Sequence, residues 1–138
     1  MRDLVRNIDV RPVIVPAANS NLGTTALVGT VIDQQGFNSL AYAIITGTLS
    51  DVDATYTVLL EESDASGSGF TAVDDADLHG TEAAAGFTFA NDGVTRKLGY
   101  RGFKRYTRLT ITPAAADSGN SPIVAIAILG DPLKAPVA

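Results

Sequence analysis

The feature that most constrains this chain is its succession of short β-rich runs, each bounded by turn-forming residues. Val, Ile, Thr, Tyr and Phe are enriched in these runs, and they favour a pleated, half-buried surface. No segment carries the long apolar period of about 3.6 residues that an amphipathic helix needs. About eight runs at these intervals predict an all-β fold, a single antiparallel β-sandwich of jelly-roll type. The predicted strands are residues 10–15, 24–32, 40–48, 55–62, 87–89, 94–100, 106–112 and 123–129, with a shorter candidate at 70–73.

Residues 39–62 are predicted to form the centre of this sandwich. Two β-rich runs, 40–48 and 55–62, flank an acidic connection that contains Asp51 and Asp53. Aspartate favours turns because its short side chain bonds the local backbone. The pattern therefore predicts that the two runs pair as adjacent antiparallel strands. Tyr42 and Ile44 share one face of the first run and Ile45 lies on the other, so we expect this strand to be buried on both sides.

The chain is predicted to contain one domain with two extensions. Residues 1–15 are expected to form a flexible N-terminal arm, residues 16–132 the β-sandwich, and residues 133–138 a C-terminal tail. Pro12 and Pro16 confine any strand in the arm to a sheet edge, because proline lacks the backbone N–H that a central strand donates. Both extensions are candidates for strand addition to a neighbouring sheet.

Composition excludes several classes of protein. A chain of 138 residues without cysteine has no disulfide framework, no zinc–thiolate site and no thiol nucleophile. Its N-terminal residues lack the apolar core and cleavage site of a signal peptide, and no apolar run approaches the ~20 residues of a membrane-spanning helix. No Gly-x-Ser-x-Gly nucleophile motif is present. We therefore expect no enzymatic activity, no cofactor and no membrane partner.

Two acidic turns are the candidate metal sites. Asp51 and Asp53 occupy one, and the second contains Asp74, Asp75, Asp77 and the single histidine, His79. Neither turn matches the twelve-residue calcium loop with its central glycine and terminal glutamate. Aspartates in turns more often bond the backbone, so the prediction is that no metal binds.

Charge is segregated along the sequence. The net charge is −5, and no Lys or Arg occurs from Pro12 to Thr95. Six cations then follow, which we call the basic band: Arg96, Lys97, Arg101, Lys104, Arg105 and Arg108. Such asymmetry favours docking to a charged partner or to another copy of the chain, although a solvated charged face is the alternative. We expect the band to lie on the two arms and tip of a β-hairpin. Its glycines and aromatics also suit single-stranded nucleic acid, but the acidic remainder of the chain disfavours that partner.

Three stretches carry a family resemblance: residues 36–62, residues 101–113, and the run from Ile123 to Gly130 with the following Asp131-Pro132. They resemble small virion proteins of tailed bacteriophages that are encoded beside the major capsid protein. The resemblance covers nearly the whole chain, but it rests on strand and turn patterns without chemical signatures. It implies a capsid decoration or cement protein, a homo-oligomer made in the host cytoplasm and located on the virion head, with the major capsid protein as its partner. A head–tail connector, tail or head-spike base component is one alternative. A carbohydrate- or calcium-binding β-sandwich module is another.

Overall fold

The computed structural model describes residues 3–137 and consists almost wholly of strands. A short 3₁₀ turn, Asp75–Asp77, and one helix, α1 (Glu82–Ala85), interrupt them. No helix in the described part of the chain is long and apolar enough to cross a membrane. The strands are β1 (Ile8–Ile14), β2 (Leu27–Val28), β3 (Ile32–Asp33), β4 (Phe37–Thr46), β5 (Thr55–Ser63), β6 (Thr71–Ala72), β7 (Leu78–His79), β8 (Phe87–Thr88), β9 (Thr95–Tyr100), β10 (Tyr106–Ala114) and β11 (Ile123–Pro132).

The strands form two antiparallel sheets packed face to face. The first sheet has the order β1-β11-β4-β9-β7, and the second has the order β2-β10-β5-β6, with β3 paired to β10 and β8 paired to β5. From β4 onward the long strands β4, β5, β9, β10 and β11 alternate between the two sheets along the chain, and β11 fills the gap between β1 and β4. This is the arrangement of a double-sheet jelly roll. The predicted all-β antiparallel sandwich is confirmed, and β4 is the central strand of its sheet, as expected.

The core lies between the two inner faces. Alternate residues of β4, β9 and β11 point inward from the first sheet, and alternate residues of β5 and β10 meet them from the second. The large apolar inward residues with no exposed surface are Tyr42, Ile44, Leu60, Leu98, Leu109, Ile111, Ile123 and Leu129. Apolar burial on this scale is the main term that stabilises the fold.

Two buried hydroxyl pairs cross the core. The Tyr42 hydroxyl lies 2.6 Å from Thr107 Oγ1, and the Tyr56 hydroxyl lies 2.5 Å from Ser121 Oγ. Burial raises the pKa of Tyr42, so its phenol stays neutral and available for the shared hydrogen bond. Within residues 3–137, no buried side-chain nitrogen or oxygen lacks a hydrogen-bond partner.

The predicted pairing of residues 40–48 with residues 55–62 is wrong. β4 pairs with β11 and β9, whereas β5 pairs with β10 in the opposite sheet. The connection between them crosses from one sheet to the other. It covers the end of the core, as the burial of Leu49, Asp51 and Ala54 shows. A tight hairpin would instead expose its turn to solvent.

The expectation that β4 is buried on both faces is also wrong. Tyr42 and Ile44 face the core, but Ala41 and Ala43 are only half-buried and Ile45 is exposed on the other side. No second layer covers the outer face of this sheet within residues 3–137. The apolar residues on the second side of β4 therefore belong to an apolar outer surface and not to a second core.

Much of the segment expected to form an arm belongs to the sandwich. β1 is the edge strand of the first sheet, the position that Pro12 predicts, and its register with β11 shifts between Pro12 and Ile14. At the other end of the chain, the Val137 amide donates to the Arg6 carbonyl at 2.8 Å. Residues 1, 2 and 138, which belong to the predicted arm and tail, lie outside the described residues.

Candidate protein–protein interface

The basic band does not form a hairpin. Arg96 and Lys97 lie on β9 in the first sheet, and Arg108 lies on β10 in the second. The connection between these strands, residues 101–105, crosses from one sheet to the other at the end of the sandwich where β4 begins. We call it the 101–105 loop. The hairpin prediction is wrong because β9 and β10 belong to different sheets. Tyr100 at the end of β9 and Thr107 near the start of β10 are both buried, each on the inner face of its own sheet.

Tyr100 fixes the position of this loop. Its hydroxyl donates to Glu62 Oε2 at 2.5 Å and accepts from the Lys104 amide at 3.0 Å. Burial and the adjacent Glu62 carboxylate raise the pKa of Tyr100, which keeps its proton available for that hydrogen bond. Gly102 is needed beside the ring, because a Cβ there would lie 2.6 Å from the Tyr100 hydroxyl.

Three cations of the band form ion pairs within the chain. Both Arg105 Nε and Nη2 donate to the Asp33 carboxylate, at 2.9 and 2.8 Å. Lys104 pairs with Asp64 in the same region. The hydrogen bond from Arg105 lowers the pKa of Asp33. The carboxylates that neutralise these two cations therefore belong to the same chain.

Arg108 is the third paired cation and is the most enclosed. Its Nη2 lies 2.9 Å from Glu61 Oε1, and its guanidinium stacks 4.3 Å from the centre of the Phe70 ring. Such stacking adds attraction between the cation and the aromatic face. Arg108 therefore holds the strand β10 to the segment around Phe70, and this part of the band has a structural role.

The other three cations have different surroundings. Arg96 is half-buried and its Nε donates to the Gly86 carbonyl at 3.5 Å. Lys97 and Arg101 are exposed, and within residues 3–137 neither has a carboxylate within 4.0 Å. The structure thus divides the band into paired residues and residues that are available to a partner.

Phe103 is the residue that the sequence interpretation missed. It lies at the tip of the 101–105 loop, between Arg101 and Lys104, and 99% of its surface is exposed. An open groove of about 370 Å³ separates the loop from residues 34–38. A phenylalanine between a glycine and a lysine in a turn is the sequence signal that could have indicated it, because an apolar residue has no core to face there.

The acidic turns are engaged by the backbone. The Asp51 carboxylate accepts from the amides of Asp53 at 3.2 Å and Ser118 at 2.8 Å, and these hydrogen bonds lower its pKa. Asp74 accepts from the Ala76 amide at 2.9 Å and caps the 3₁₀ turn. Across the described residues, no group of three or more His, Asp or Glu side chains is arranged to hold a metal ion.

The exposed aromatic residues do not form a sugar-stacking platform. Phe103 lies at the end of the sandwich where β4 begins. Phe89, the other exposed phenylalanine, has its amide bonded to the Ala54 carbonyl near the end where β4 terminates. The two rings therefore lie at opposite ends of the domain.

Comparison with known proteins identifies the fold. No family model and no curated protein matches the chain. Among solved structures, the PBSX exported protein XepA aligns over 97% of this chain at 16% identity with a TM-score of 0.57, and the chain spans only 40% of XepA. A chain of the cyanophage Pam1 capsid asymmetric unit aligns over 91% of this chain and 86% of its own length, at 16% identity and a TM-score of 0.51. A chain of infectious bursal disease virus, Gx strain, aligns over 91% of this chain and 33% of its own length, at 8% identity and a TM-score of 0.52.

These similarities establish a shared fold. The chain has a β-sandwich that is also found in XepA, in a chain of the Pam1 capsid asymmetric unit and in a chain of infectious bursal disease virus, at identities too low to transfer a role. The function must therefore be argued from the surface of this chain.

Proposed function

We propose that this chain is a decoration, or cement, protein of a tailed-phage head, which binds the outer surface of the shell and has the major capsid protein as its partner. The sandwich that it shares with a chain of the Pam1 capsid asymmetric unit supports this proposal. The resemblance of residues 36–62 and 101–113 to small virion proteins points in the same direction. The proposed role is mechanical, and it assigns no chemical step to any residue.

The observation that carries the proposal is the complete exposure of Phe103 at the tip of the 101–105 loop. Burying a phenylalanine side chain is worth about 1.5–3 kcal/mol relative to leaving it in water. Aromatic residues and arginine are also the side chains that contribute most to protein–protein binding when they enter a pocket. Phe103 beside the exposed Arg101 is therefore the part of this surface best suited to anchor the chain on a partner.

The loop is also held in a defined shape before it binds. Tyr100, Gly102 and the ion pairs of Lys104 and Arg105 fix the loop on both sides of Phe103. A rigid loop loses less conformational entropy on binding than a flexible one, so more of the contact energy is available for affinity. In this proposal the paired cations position the loop, and Arg101 and Phe103 contact the shell.

Binding to the assembled shell would stabilise the head by mass action. A protein that binds the assembled state, and not the separated subunits, shifts the equilibrium by RT ln(1 + [L]/Kd). At a free concentration about 100 times Kd, this amounts to ~2.7 kcal/mol per site. Many weak sites spread over a shell can therefore raise its resistance to heat without any covalent link.

The test is binding of purified protein to phage shells that lack it, measured by co-sedimentation and located by electron microscopy. We expect many copies over the whole shell and a higher temperature of shell disruption. Phe103→Ala should reduce binding by at least about 10-fold. Phe89→Ala is the matched control, because it removes an exposed phenylalanine at the opposite end, and it should bind like the wild type.

Three results would overturn the proposal. The first is a wild-type protein that does not bind shells. The second is Phe103→Ala protein that binds as tightly as the wild type. The third is density confined to one vertex or to the tail, which would instead assign the chain to a connector or tail.

A further inference from the structure

The outer faces of the two sheets differ sharply in chemistry. The second sheet presents mostly polar side chains to solvent, among them Thr57, Glu61, Arg108 and Thr112, with Val28 and Leu59 as its exposed apolar residues. The first sheet presents an apolar surface instead. Its central outward residues on β1, β11 and β4 are all apolar: Val10, Pro12, Val124, Ile126, Ile128, Ala41, Ala43 and Ile45. We call this surface the apolar face.

The apolar face is continuous across strands. Val10, Ile128, Ala41 and Gly99 form one row in register, and Pro12, Ile126, Ala43 and Lys97 form the next. Val10 is 51% exposed and Ile45 is 45% exposed. Monomeric soluble proteins rarely expose a connected apolar surface of more than a few hundred Å², and larger ones mark interaction sites.

The edge of this sheet is poorly suited to association. Pro12 on β1 removes a backbone donor, and the register of β1 with β11 shifts beside it. Proline and bulges on edge strands prevent a second sheet from adding to the edge. Strand addition by the N-terminal segment at the β1 edge is disfavoured for the same reason, and the other edge strand, β7, has only two residues. The apolar face is therefore the larger surface that this sheet offers to a partner.

We propose that the apolar face binds the same face of a second copy of this chain, and that the protein is a two-fold dimer in solution. Sheets pack face to face at about 10 Å with their strands within about 30° of each other, and this geometry allows the same face of two copies to meet about a two-fold axis. This inference goes beyond the proposed function and does not depend on it.

The area of the outer surface fits a weak, reversible dimer. Each outward position of a sheet covers ~32 Å², the product of a strand spacing of ~4.8 Å and a two-residue repeat of ~6.7 Å. The eight residues of the apolar face therefore cover roughly 260 Å² per copy, and the six other outward positions on β1, β11, β4 and β9 bring the total to roughly 450 Å² per copy, or roughly 900 Å² for the pair. This total lies just below the ~1,000 Å² at which stable specific interfaces begin, so the expected association is weak and reversible.

The position of Lys97 is compatible with this packing. A two-fold axis that runs along the strands between β11 and β4 places β9 of one copy over β1 of the other. Lys97 then lies over Pro12 of the second copy, because the two residues occupy the same row. The two Lys97 side chains are on opposite sides of the interface, and each can extend its ammonium group past the sheet edge into water.

Sedimentation of the isolated full chain over a wide concentration range tests the proposal. We expect a reversible monomer–dimer equilibrium for the wild type. Val10→Glu with Ile45→Glu places four like charges in the interface of the dimer, and it should raise the dissociation constant by at least about 100-fold. The milder pair Val10→Thr with Ile45→Thr keeps the β-branched shape and should raise it by about 10-fold, which provides a readout if the glutamate pair fails to fold.

The matched control lies on the other sheet. Val28 is 59% exposed and Leu59 is 36% exposed on the outer face of the second sheet, so Val28→Glu with Leu59→Glu makes the same change of charge away from the apolar face. This variant and Phe103→Ala should both dimerise like the wild type.

A wild-type protein that sediments as a monomer throughout would overturn the proposal, and so would apolar-face variants that still dimerise. Equal dissociation of the control would also overturn it, because the effect would not be specific to this face. If the wild type is monomeric and only the apolar-face variants lose binding to shells, the face is covered by the shell and not by a second copy. These measurements use isolated protein, so they can fail while the shell proposal holds.

Discussion

The hydroxyl pair formed by Tyr42 and Thr107 offers a quantitative test of how the two sheets are held together. Both side chains have 0% exposed surface, and their oxygens are 2.6 Å apart across the core. Within residues 3–137, neither side-chain oxygen has another hydrogen-bond partner. Removing one hydroxyl therefore leaves the other buried and unpaired.

The expected cost follows from this geometry. An orphaned buried hydroxyl costs about 1–3 kcal/mol, so Tyr42→Phe and Thr107→Val should each lower the free energy of unfolding by about 2 kcal/mol. The double variant removes both oxygens and leaves none unpaired. Because replacing both partners by apolar groups of the same shape is nearly neutral, the double variant should lose at most about 1 kcal/mol. The two substitutions are thus expected to be non-additive by about 3 kcal/mol.

Urea denaturation at 25 °C measures these differences. A loss of about 2 kcal/mol should move each single variant's midpoint by roughly 1 M, with an unchanged slope. Tyr106→Phe is a suitable control, since this tyrosine is only half-buried and its hydroxyl makes no hydrogen bond within the described residues, and it should stay within about 0.5 kcal/mol of the wild type. Additive losses in the double variant would refute the reasoning, because the two hydroxyls would then have independent partners.

Two further predictions concern single side chains. The pKa of Asp33 is lowered from its ordinary value of 3.8 by Arg105, so its pairing stabilises the fold above that value and the contribution disappears as pH falls through the lowered folded-state pKa. The melting temperature of Asp33→Asn should therefore lie below that of the wild type at neutral pH and converge with it in acid, and a constant difference at all pH values would contradict this. Ile44→Asp should abolish folding, as judged by soluble yield and circular dichroism, because an unpaired charge would be buried at a fully enclosed position. Ile45→Asp, one residue away on the apolar face, should still fold.

Strand positions and the direction of side chains were predictable from the sequence, because a period of two residues is a local signal. The run 40–48 illustrates this, since Tyr42 and Ile44 were expected to share a face and both are fully buried. Strand partners were not predictable in the same way. β4 and β5 each carry the pattern of a half-buried strand, and no local feature of the sequence indicates whether they pair with each other or lie in opposite sheets.

The candidate site shows the same limit. The cations from Arg96 to Arg108 were visible as a group, but their partners Asp33, Glu61 and Asp64 are distant in sequence and become adjacent only in the folded chain. Burial also could not be inferred from apolar character alone. Ile44 and Ile45 are equally hydrophobic, yet the first is enclosed and the second faces solvent, since only one side of the sheet is covered by the other sheet.

The position of β11 between β1 and β4 has a consequence for how the protein folds. Ile8 pairs with Gly130 and Ile14 pairs with Ala125, so the edge strand β1 finds its neighbour only after residues 123–132 have been synthesised. The entropy of closing such long loops must be overcome before these contacts form, which makes folding of this kind of topology slow. Until then β1 and the edge of β4 that faces β11 stay unpaired, and a nascent chain of this protein is exposed to aggregation until β11 fills the gap between them.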